Sequence, residues 1–321
     1  RSYSVTGVQT CALPISMFVF IKLRKEIVFT IDLSILKDAF GFSWPIILHA
    51  LFAWGLASVN KLILNGLVSV EVVGVYSIGF IIAGIVNMAS VALNRSYTPW
   101  FFSQMKKEDS NAKEIVRFSE FIILIYSVLA LWLSLFGKDV VSLFLGEAYR
   151  NAWVVIPFLA FAYVFNGLYF FFVNIFNYAK KSIRYLPLYT LFSAIINIGL
   201  NYLLIPQFGM IGSALATFIS MLILSFSMYL GSKRYINLGY DFLKIIPLIM
   251  LPFLMSLVVF IELEWNQWLI LLTKILYTLI CLVILYLINR KRFGSSLEKQ
   301  KNNFKRYLNG IRHNYKNNKS N

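Results

Sequence analysis

The sequence has 321 residues, of which 59% are hydrophobic and only 14% charged, and its net charge is +16. Soluble domains are nearer half apolar and a quarter charged. This composition and the mean hydropathy of +0.71 both argue against an ordinary soluble fold. The apolar residues form long blocks without the alternation of a membrane β-barrel. The sequence therefore predicts an all-α, polytopic membrane helix bundle.

The first residues differ in character from the rest. Residues 5–15 read VTGVQTCALPI, which resembles a translated sequencing adapter, so we interpret residues 1–16 as a scar outside the native fold. A short natural leader is the alternative, although the segment lacks the form of a signal peptide. Residues 17–23 are too short to span a bilayer. We therefore interpret residues 17–39 as the end of a truncated helix and a cytoplasmic linker, which would make the chain a fragment.

Eight apolar blocks follow, each long enough to cross about 30 Å of hydrocarbon as a helix. The predicted spans are residues 44–67, 72–102, 118–136, 152–176, 186–205, 211–230, 245–261 and 268–288. The first six lie within residues 40–232, and the last two within residues 233–289. Residues 290–321 form a basic tail.

Basic residues fall almost entirely in alternate loops. One side of the predicted topology holds 24 Lys and Arg residues, and the other holds only Lys138 and Arg150. Because short cytoplasmic loops carry an excess of Lys and Arg, we expect the first side, and with it the C-terminus, to be cytoplasmic. The tail is expected to lie near an anionic leaflet and not to bind nucleic acid.

Polar residues recur every three or four positions in three of the spans and so share helix faces, and the span at residues 152–176 carries further Asn residues. Such residues in hydrocarbon tend to face a cavity or another helix. The candidates for a substrate cavity are Asn60, Lys61, Asn87, Asn94, Arg95, Asn166, Asn174, Asn197 and Asn201. Interhelical hydrogen bonding explains the amides equally well. For the two cations snorkelling is the alternative, and we favour the cavity because each adjoins a polar stripe.

The remaining polar groups predict little chemistry. We expect Lys274 to snorkel, His49 to be a hydrogen-bonded packing residue and Glu120 to have no special role. Cys11 and Cys281 form no disulfide or metal-site pattern, and no catalytic motif is visible, so we expect neither an enzyme nor a cofactor or metal. A membrane-embedded polysaccharide polymerase or ligase would need a long outer loop with catalytic Arg or His. The longest predicted outer loop, residues 137–151, has Arg150 and no His.

Two segments carry a family resemblance. Residues 40–102 include VGVYSIGF and TPWFF, and residues 144–220 include INIGLNYLLIP and FGMIGSALAT. In order and spacing these motifs resemble the C-terminal half of Wzx-type polysaccharide flippases, which belong to the multidrug/oligosaccharidyl-lipid/polysaccharide exporter superfamily. A lipid II flippase or a drug exporter of the same superfamily is the nearest alternative.

The resemblance implies two six-helix lobes around a cavity, with residues 40–232 as the second lobe and residues 233–289 as two extra helices. It implies a multi-pass protein of the bacterial cytoplasmic membrane, monomeric at full length, that serves lipopolysaccharide O-antigen synthesis. Such proteins move an undecaprenyl-diphosphate-linked oligosaccharide between leaflets by alternating access, among membrane lipids. The chain departs from the family at Asn60–Lys61, where many members carry Asp before a basic residue. That departure argues against ion coupling through a carboxylate at this position.

Overall fold

A computed structural model describes residues 6–24, 32–107, 111–261 and 269–287 of the chain. Every regular element in these ranges is helical, so the all-α class is confirmed. The α-helices are α1 Thr6–Leu23, α2 Leu33–Leu67, α3 Val70–Met105, α4 Ala112–Phe144, α5 Ile156–Tyr178, α6 Leu186–Lys233, α7 Phe242–Ser256 and α8 Leu269–Leu287. Short 3₁₀ segments cover Glu147–Val155, Lys180–Tyr185 and Leu257–Phe260.

The chain divides into two units, Arg1–Trp44 and Pro45–Asn321. In the first unit, α1 covers much of the segment interpreted as a scar and all of residues 17–23, and that interpretation stays a prediction. Helix α2 begins at Leu33, within the predicted linker. Asp32 starts it, because its Oδ1 accepts hydrogen bonds from the hydroxyl of Ser34 at 2.7 Å and from its backbone N–H at 2.8 Å. These bonds lower the pKa of Asp32.

Helix α6 is two antiparallel helices joined at Gly209, which has φ 55° and ψ −132°, a conformation that glycine adopts readily. A Cβ placed on Gly212 would lie 2.2 Å from the carbonyl oxygen of Leu204. In a straight helix eight residues would separate these positions by about 12 Å, so the chain reverses direction. Ser193 also donates to the carbonyl of Ser220 over 2.7 Å. We call residues 186–208 α6a and residues 210–233 α6b.

Seven helices in the described residues are long and apolar enough to cross a membrane. One of them, Ser182–Lys233, has 52 residues and would extend about 78 Å if straight, more than twice the thickness of the hydrocarbon core. Because it folds back at Gly209, it supplies two crossings. The seven helices thus provide the eight crossings predicted from the sequence, and the chain is a multi-pass membrane protein.

Helix α5 is the central helix of the second unit. It packs against α6, α3 and α4, and most of its side chains are buried and apolar, as expected for a helix that is hydrophobic on all sides. Its neighbour α3 instead presents Ile81, Ile85 and Met88 on the surface. Such an exposed apolar face suits contact with lipid.

Side-chain contacts define one end of the helix bundle. The hydroxyl of Tyr178, at the end of α5, donates to the carbonyl of Met105, at the end of α3, over 3.1 Å. Ser119, near the start of α4, hydrogen-bonds to Tyr240, just before α7, over 2.7 Å. This is the end predicted to be cytoplasmic. Its basic residues include Lys106, Lys107, Lys113, Arg117, Arg184, Lys233, Arg234 and Lys244.

At the opposite end of the bundle, two contacts are made: the segment before α5 meets the segment after α7, and the first turns of α8 meet the C-terminal part of α4. The rings of Trp153 and Phe260 lie 5.4 Å apart. Lys274 donates to Asp139 over 2.5 Å, and only 17% of the lysine side chain is exposed. The ammonium of Lys274 thus reaches the predicted outer loop, as expected for a snorkelling lysine, and there it pairs with a carboxylate that is 46% exposed. The predicted outer loop also begins as helix, since α4 continues to Phe144.

Candidate functional site

The nine predicted cavity residues fall into two hydrogen-bonded groups and two cations. One group joins α3 to α5, the second joins α2 to α6, and the cations Lys61 and Arg95 lie on α2 and α3. The spacing of the amides in the sequence therefore predicted the helix faces that carry them. The structure shows in addition which helix each of these faces contacts.

The first group is a ladder of amides between α3 and α5. Asn166 donates to Oδ1 of Asn87 over 3.0 Å. Two turns further along, Asn174 donates to Oδ1 of Asn94 over 3.0 Å, and the hydroxyl of Thr98 approaches Oδ1 of Asn174 at 3.2 Å. We call these five residues the α3–α5 ladder. Asn174 is buried, while Asn87, Asn94 and Asn166 are half-buried.

The second group is fully buried and carries no charge. Asn201 of α6a donates to Oδ1 of Asn60 on α2 over 2.8 Å and to the backbone oxygen and Oδ1 of Asn197. Asn60 in turn donates to the hydroxyl of Thr217 on α6b over 2.8 Å. These bonds hold three helical segments together at one place.

Tyr76 and Ser213 extend this second group. The hydroxyl of Tyr76, on α3, faces Ser213, Thr217 and Asn60, and Thr217 donates to the carbonyl of Ser213 over 2.9 Å. We call Asn60, Tyr76, Asn197, Asn201, Ser213 and Thr217 the Asn60 cluster. The sequence reasoning missed the last two residues and Tyr76. The four-residue spacing of Ser213 and Thr217, which matches that of Asn197 and Asn201, was the available signal.

The two cations differ in their surroundings. The ammonium of Lys61 lies 4.5 Å from the ring centroid of Phe80, a cation–π contact between α2 and α3. Arg95 is exposed on the surface of α3, next in sequence to Asn94 of the ladder. Among the candidates, Arg95 is thus the charge most open to a bound molecule.

His49 is a hydrogen-bonded packing residue, as predicted. Its Nδ1 lies 2.6 Å from Oγ1 of Thr190 and its Nε2 lies 2.6 Å from the hydroxyl of Tyr169. Because the Thr190 hydroxyl donates to the carbonyl of Leu186, it accepts from Nδ1–H, and Nε2 accepts from Tyr169. The histidine therefore joins α2, α5 and α6a as a neutral ring.

The basic end of the bundle contains a further set of hydrogen-bonded polar side chains. The hydroxyl of Ser119 lies between those of Tyr97 at 2.9 Å and Tyr240 at 2.7 Å, and burial raises the pKa of Tyr240 well above its ordinary value. Asp241, next in the chain, pairs with Lys244 at 3.1 Å, and this contact lowers the pKa of Asp241. Glu120 is buried beside Ser119, at 5% exposure.

The chemistry available at the candidate residues is that of binding. Amides and hydroxyls donate to and accept from sugar hydroxyls, and a guanidinium matches phosphate oxygens. Among the described residues, no group of three or more His, Cys, Asp or Glu side chains could hold a metal ion.

Part of the chain matches a known protein family. Residues 5–154 match a family described as "Polysaccharide biosynthesis protein". The match covers slightly less than half of the chain and includes five candidates, Asn60, Lys61, Asn87, Asn94 and Arg95. It supports the broader part of the resemblance, to membrane proteins of polysaccharide biosynthesis. Neither a curated protein nor a solved structure matches the chain.

Proposed function

We propose that the chain belongs to a Wzx-type flippase, a transporter and not an enzyme, which moves undecaprenyl-diphosphate-linked oligosaccharide across the bacterial cytoplasmic membrane. The oligosaccharide would then enter surface polysaccharide such as O-antigen. The match of residues 5–154 to polysaccharide biosynthesis proteins supports the substrate class. The eight apolar crossings support a transporter, because they provide a membrane path.

The observation that carries the proposal is the placement of Arg95. Its side chain is exposed on a membrane helix, about 10 Å along the axis from the predicted inner end of the span at Phe102. An arginine facing hydrocarbon is costly, so a cation at this depth favours a site that admits water or an anion. A diphosphate supplies that anion, and guanidinium binds phosphate oxygens in a bidentate manner.

The neighbouring amides suit the rest of the substrate. Asn94 adjoins Arg95, and Asn87 lies about two turns away on the same helix. Each amide has hydrogen-bonding capacity beyond its partner in the α3–α5 ladder, so half-buried amides can contact sugar hydroxyls without breaking the ladder. The undecaprenyl tail would remain in lipid beside the apolar face of α3.

The proposal includes an arrangement in the membrane. Residues 40–232 act as one six-helix lobe of an alternating-access transporter, residues 233–289 add two helices, and the basic end of the bundle faces the cytoplasm. The loop-charge asymmetry supports this orientation.

Arg95→Ala in the full-length gene product tests the proposal, with Arg95→Lys as the conservative variant and Arg150→Ala as the control at the opposite end. Loss of a charge-assisted phosphate contact, worth about 1.5–3 kcal/mol, should lower transport about 10- to 150-fold. We expect Arg95→Ala to reduce surface polysaccharide and to accumulate lipid-linked oligosaccharide in the inner leaflet. Membrane expression should remain normal, and Arg150→Ala should behave as wild type. Normal polysaccharide in Arg95→Ala cells would contradict the proposal.

Vesicles containing the purified full-length protein distinguish the related transporters. We expect translocation of a fluorescent undecaprenyl-diphosphate oligosaccharide, with little movement of lipid II and no uptake of a cationic dye. Faster movement of lipid II or of the dye would assign the protein to another branch of the superfamily. Lengthening of the glycan in the same vesicles would instead identify a polymerase.

A further inference from the structure

Four buried side-chain atoms in the described part of the chain make no hydrogen bond of good geometry, although the Tyr76 hydroxyl lies close to Ser213, Thr217 and Asn60. These four atoms are the Tyr76 hydroxyl, Nδ2 of Asn197, Oδ1 of Asn201 and the Ser213 hydroxyl. All four belong to the Asn60 cluster, and each of these side chains is 0% exposed. Buried polar groups in native proteins almost always have partners, so this concentration at one place indicates a bound molecule.

The orientation of the amides is fixed by the cluster itself. Nδ2 of Asn201 donates to the backbone oxygen of Asn197 over 2.8 Å, a contact that the amide oxygen could not make. Nδ2 of Asn201 also donates to Oδ1 of Asn197, which leaves Nδ2 of Asn197 as the group without a partner. The open hydrogen-bonding groups are therefore a mixture of donors and acceptors.

That mixture identifies the class of ligand. Tyr76 and Ser213 can each donate or accept, Asn197 offers N–H donors, and Asn201 offers an acceptor oxygen. A metal cation would satisfy only the oxygens, and an anion only the donors. Water both donates and accepts, and a buried water makes about three hydrogen bonds, so one or two molecules satisfy all four atoms.

The absence of charge within the cluster supports the same choice. The six side chains of the Asn60 cluster are all neutral amides and hydroxyls, so none of them could balance the charge of a bound ion. A buried ion without an opposite charge loses much hydration free energy. A neutral ligand does not incur this loss.

We propose that the Asn60 cluster binds one or two internal water molecules within the membrane-spanning bundle. The water joins Tyr76 of α3 to the hairpin formed by α6a and α6b, beside the direct bonds that Asn60 makes from α2. It completes a neutral polar core at a place where neither solvent nor lipid reaches the side chains.

Hydroxyl-radical footprinting by X-ray radiolysis of the full chain in nanodiscs tests this directly, because bound water generates radicals beside buried residues. Tyr126 is the matched control: it is also buried, at 1% exposure, and its hydroxyl donates to the carbonyl of Ser90. We expect Tyr76 to be oxidised about 10-fold faster than Tyr126, in line with one bound water against none. Equal, low rates for the two tyrosines would overturn the proposal.

Thermal unfolding of Tyr76→Phe gives an independent test. If water satisfies the hydroxyl, its removal breaks the network and lowers Tm by about 2–4 °C. If the cluster is dry, removal of an unsatisfied hydroxyl leaves Tm unchanged or raises it, which overturns the proposal. Ser213→Ala should lower Tm in the same way, and its effect should not add to that of Tyr76→Phe because both remove partners of the same water.

A comparison of salts separates water from a cation. We expect the Tm of the full chain to be the same in NaCl, KCl, LiCl and choline chloride at equal ionic strength. A rise specific to one cation that disappears in Asn201→Leu would assign the site to that cation and overturn the proposal.

Discussion

Asn174 of α5 donates to Oδ1 of Asn94 on α3 over 3.0 Å, and this pair repeats the contact between Asn166 and Asn87 two turns away along the same helices. The two bonds run between helices that point in the same direction, since both end near the contact of Tyr178 with Met105. The ladder therefore fixes the register of α3 against the central helix, and with it the position of Arg95 along α3.

A double-mutant cycle on Asn94 and Asn174 should show direct coupling. We expect Asn94→Ala and Asn174→Ala each to destabilise the protein, with a coupling energy of about 0.6–1.7 kcal/mol, the range of interhelical hydrogen bonds in membranes. Unfolding in SDS measures it. A coupling energy of zero would mean that the amides do not bond to each other in the membrane.

The same cycle decides between packing and substrate binding, which the sequence left open. If the amides only join helices, the loss of transport in each variant follows its loss of stability. If Asn94 also contacts substrate, Asn94→Ala loses more transport than Asn174→Ala at equal stability. We expect the second result, because Asn94 is half-buried beside Arg95 while Asn174 is buried.

The sequence could predict the helices and the polar faces but not the partners. Periodicity places Asn87 and Asn94 on one face of α3, yet it carries no information about which helix that face meets. Lys274 and Asp139 lie 135 positions apart, so only the fold brings them together. Tyr76 was hidden in an apolar run, because its ring satisfies the hydrophobic pattern while its hydroxyl joins the Asn60 cluster.

The hairpin in α6 makes a prediction for two glycines on the same element. A Cβ on Gly212 would lie 2.2 Å from the backbone oxygen of Leu204, whereas one on Gly199 would meet nothing within 4 Å. Gly212→Ala should therefore force the hairpin apart and destabilise the protein by about 1–3 kcal/mol or more. Gly199→Ala should be neutral or stabilise by about 0.5–1 kcal/mol through helix propensity. Thermal unfolding checks both, and equal effects would contradict the close approach.

Lys61 and Phe80 allow the structural role of a cation to be separated from a role in transport. Lys61→Ala and Phe80→Leu each remove the cation–π contact, so each should cost about 0.5–1 kcal/mol, and the double variant should cost little more. If the ammonium also serves the substrate, only Lys61→Ala lowers surface polysaccharide. We expect that outcome at normal membrane expression. Wild-type polysaccharide in Lys61→Ala cells would limit the residue to packing.

The ion pair between Lys274 and Asp139 should respond to exchange of its charges. Lys274→Met leaves Asp139 without its partner and should lower Tm, and Asp139→Asn should do the same. Lys274→Asp combined with Asp139→Lys restores an attractive pair and should recover part of the loss, since opposite charges again adjoin at the same end of the bundle. The single reversals Lys274→Asp and Asp139→Lys are the references for this exchange. If the exchanged variant is no more stable than either of them, α4 and α8 do not meet at this pair.

Cysteine labelling tests the orientation of the whole bundle. Lys113, in the first turn of α4, and Asn151, in the 3₁₀ segment before α5, are both exposed and lie at the basic and the sparsely charged end of the bundle, respectively. In a background with Cys11 and Cys281 replaced by Ser, a membrane-impermeant maleimide should label Asn151→Cys in intact spheroplasts. It should label Lys113→Cys only after permeabilisation, because the positive-inside rule places the basic end in the cytoplasm. The reverse pattern would invert the topology, and labelling of both positions in intact spheroplasts would contradict an odd number of crossings between them.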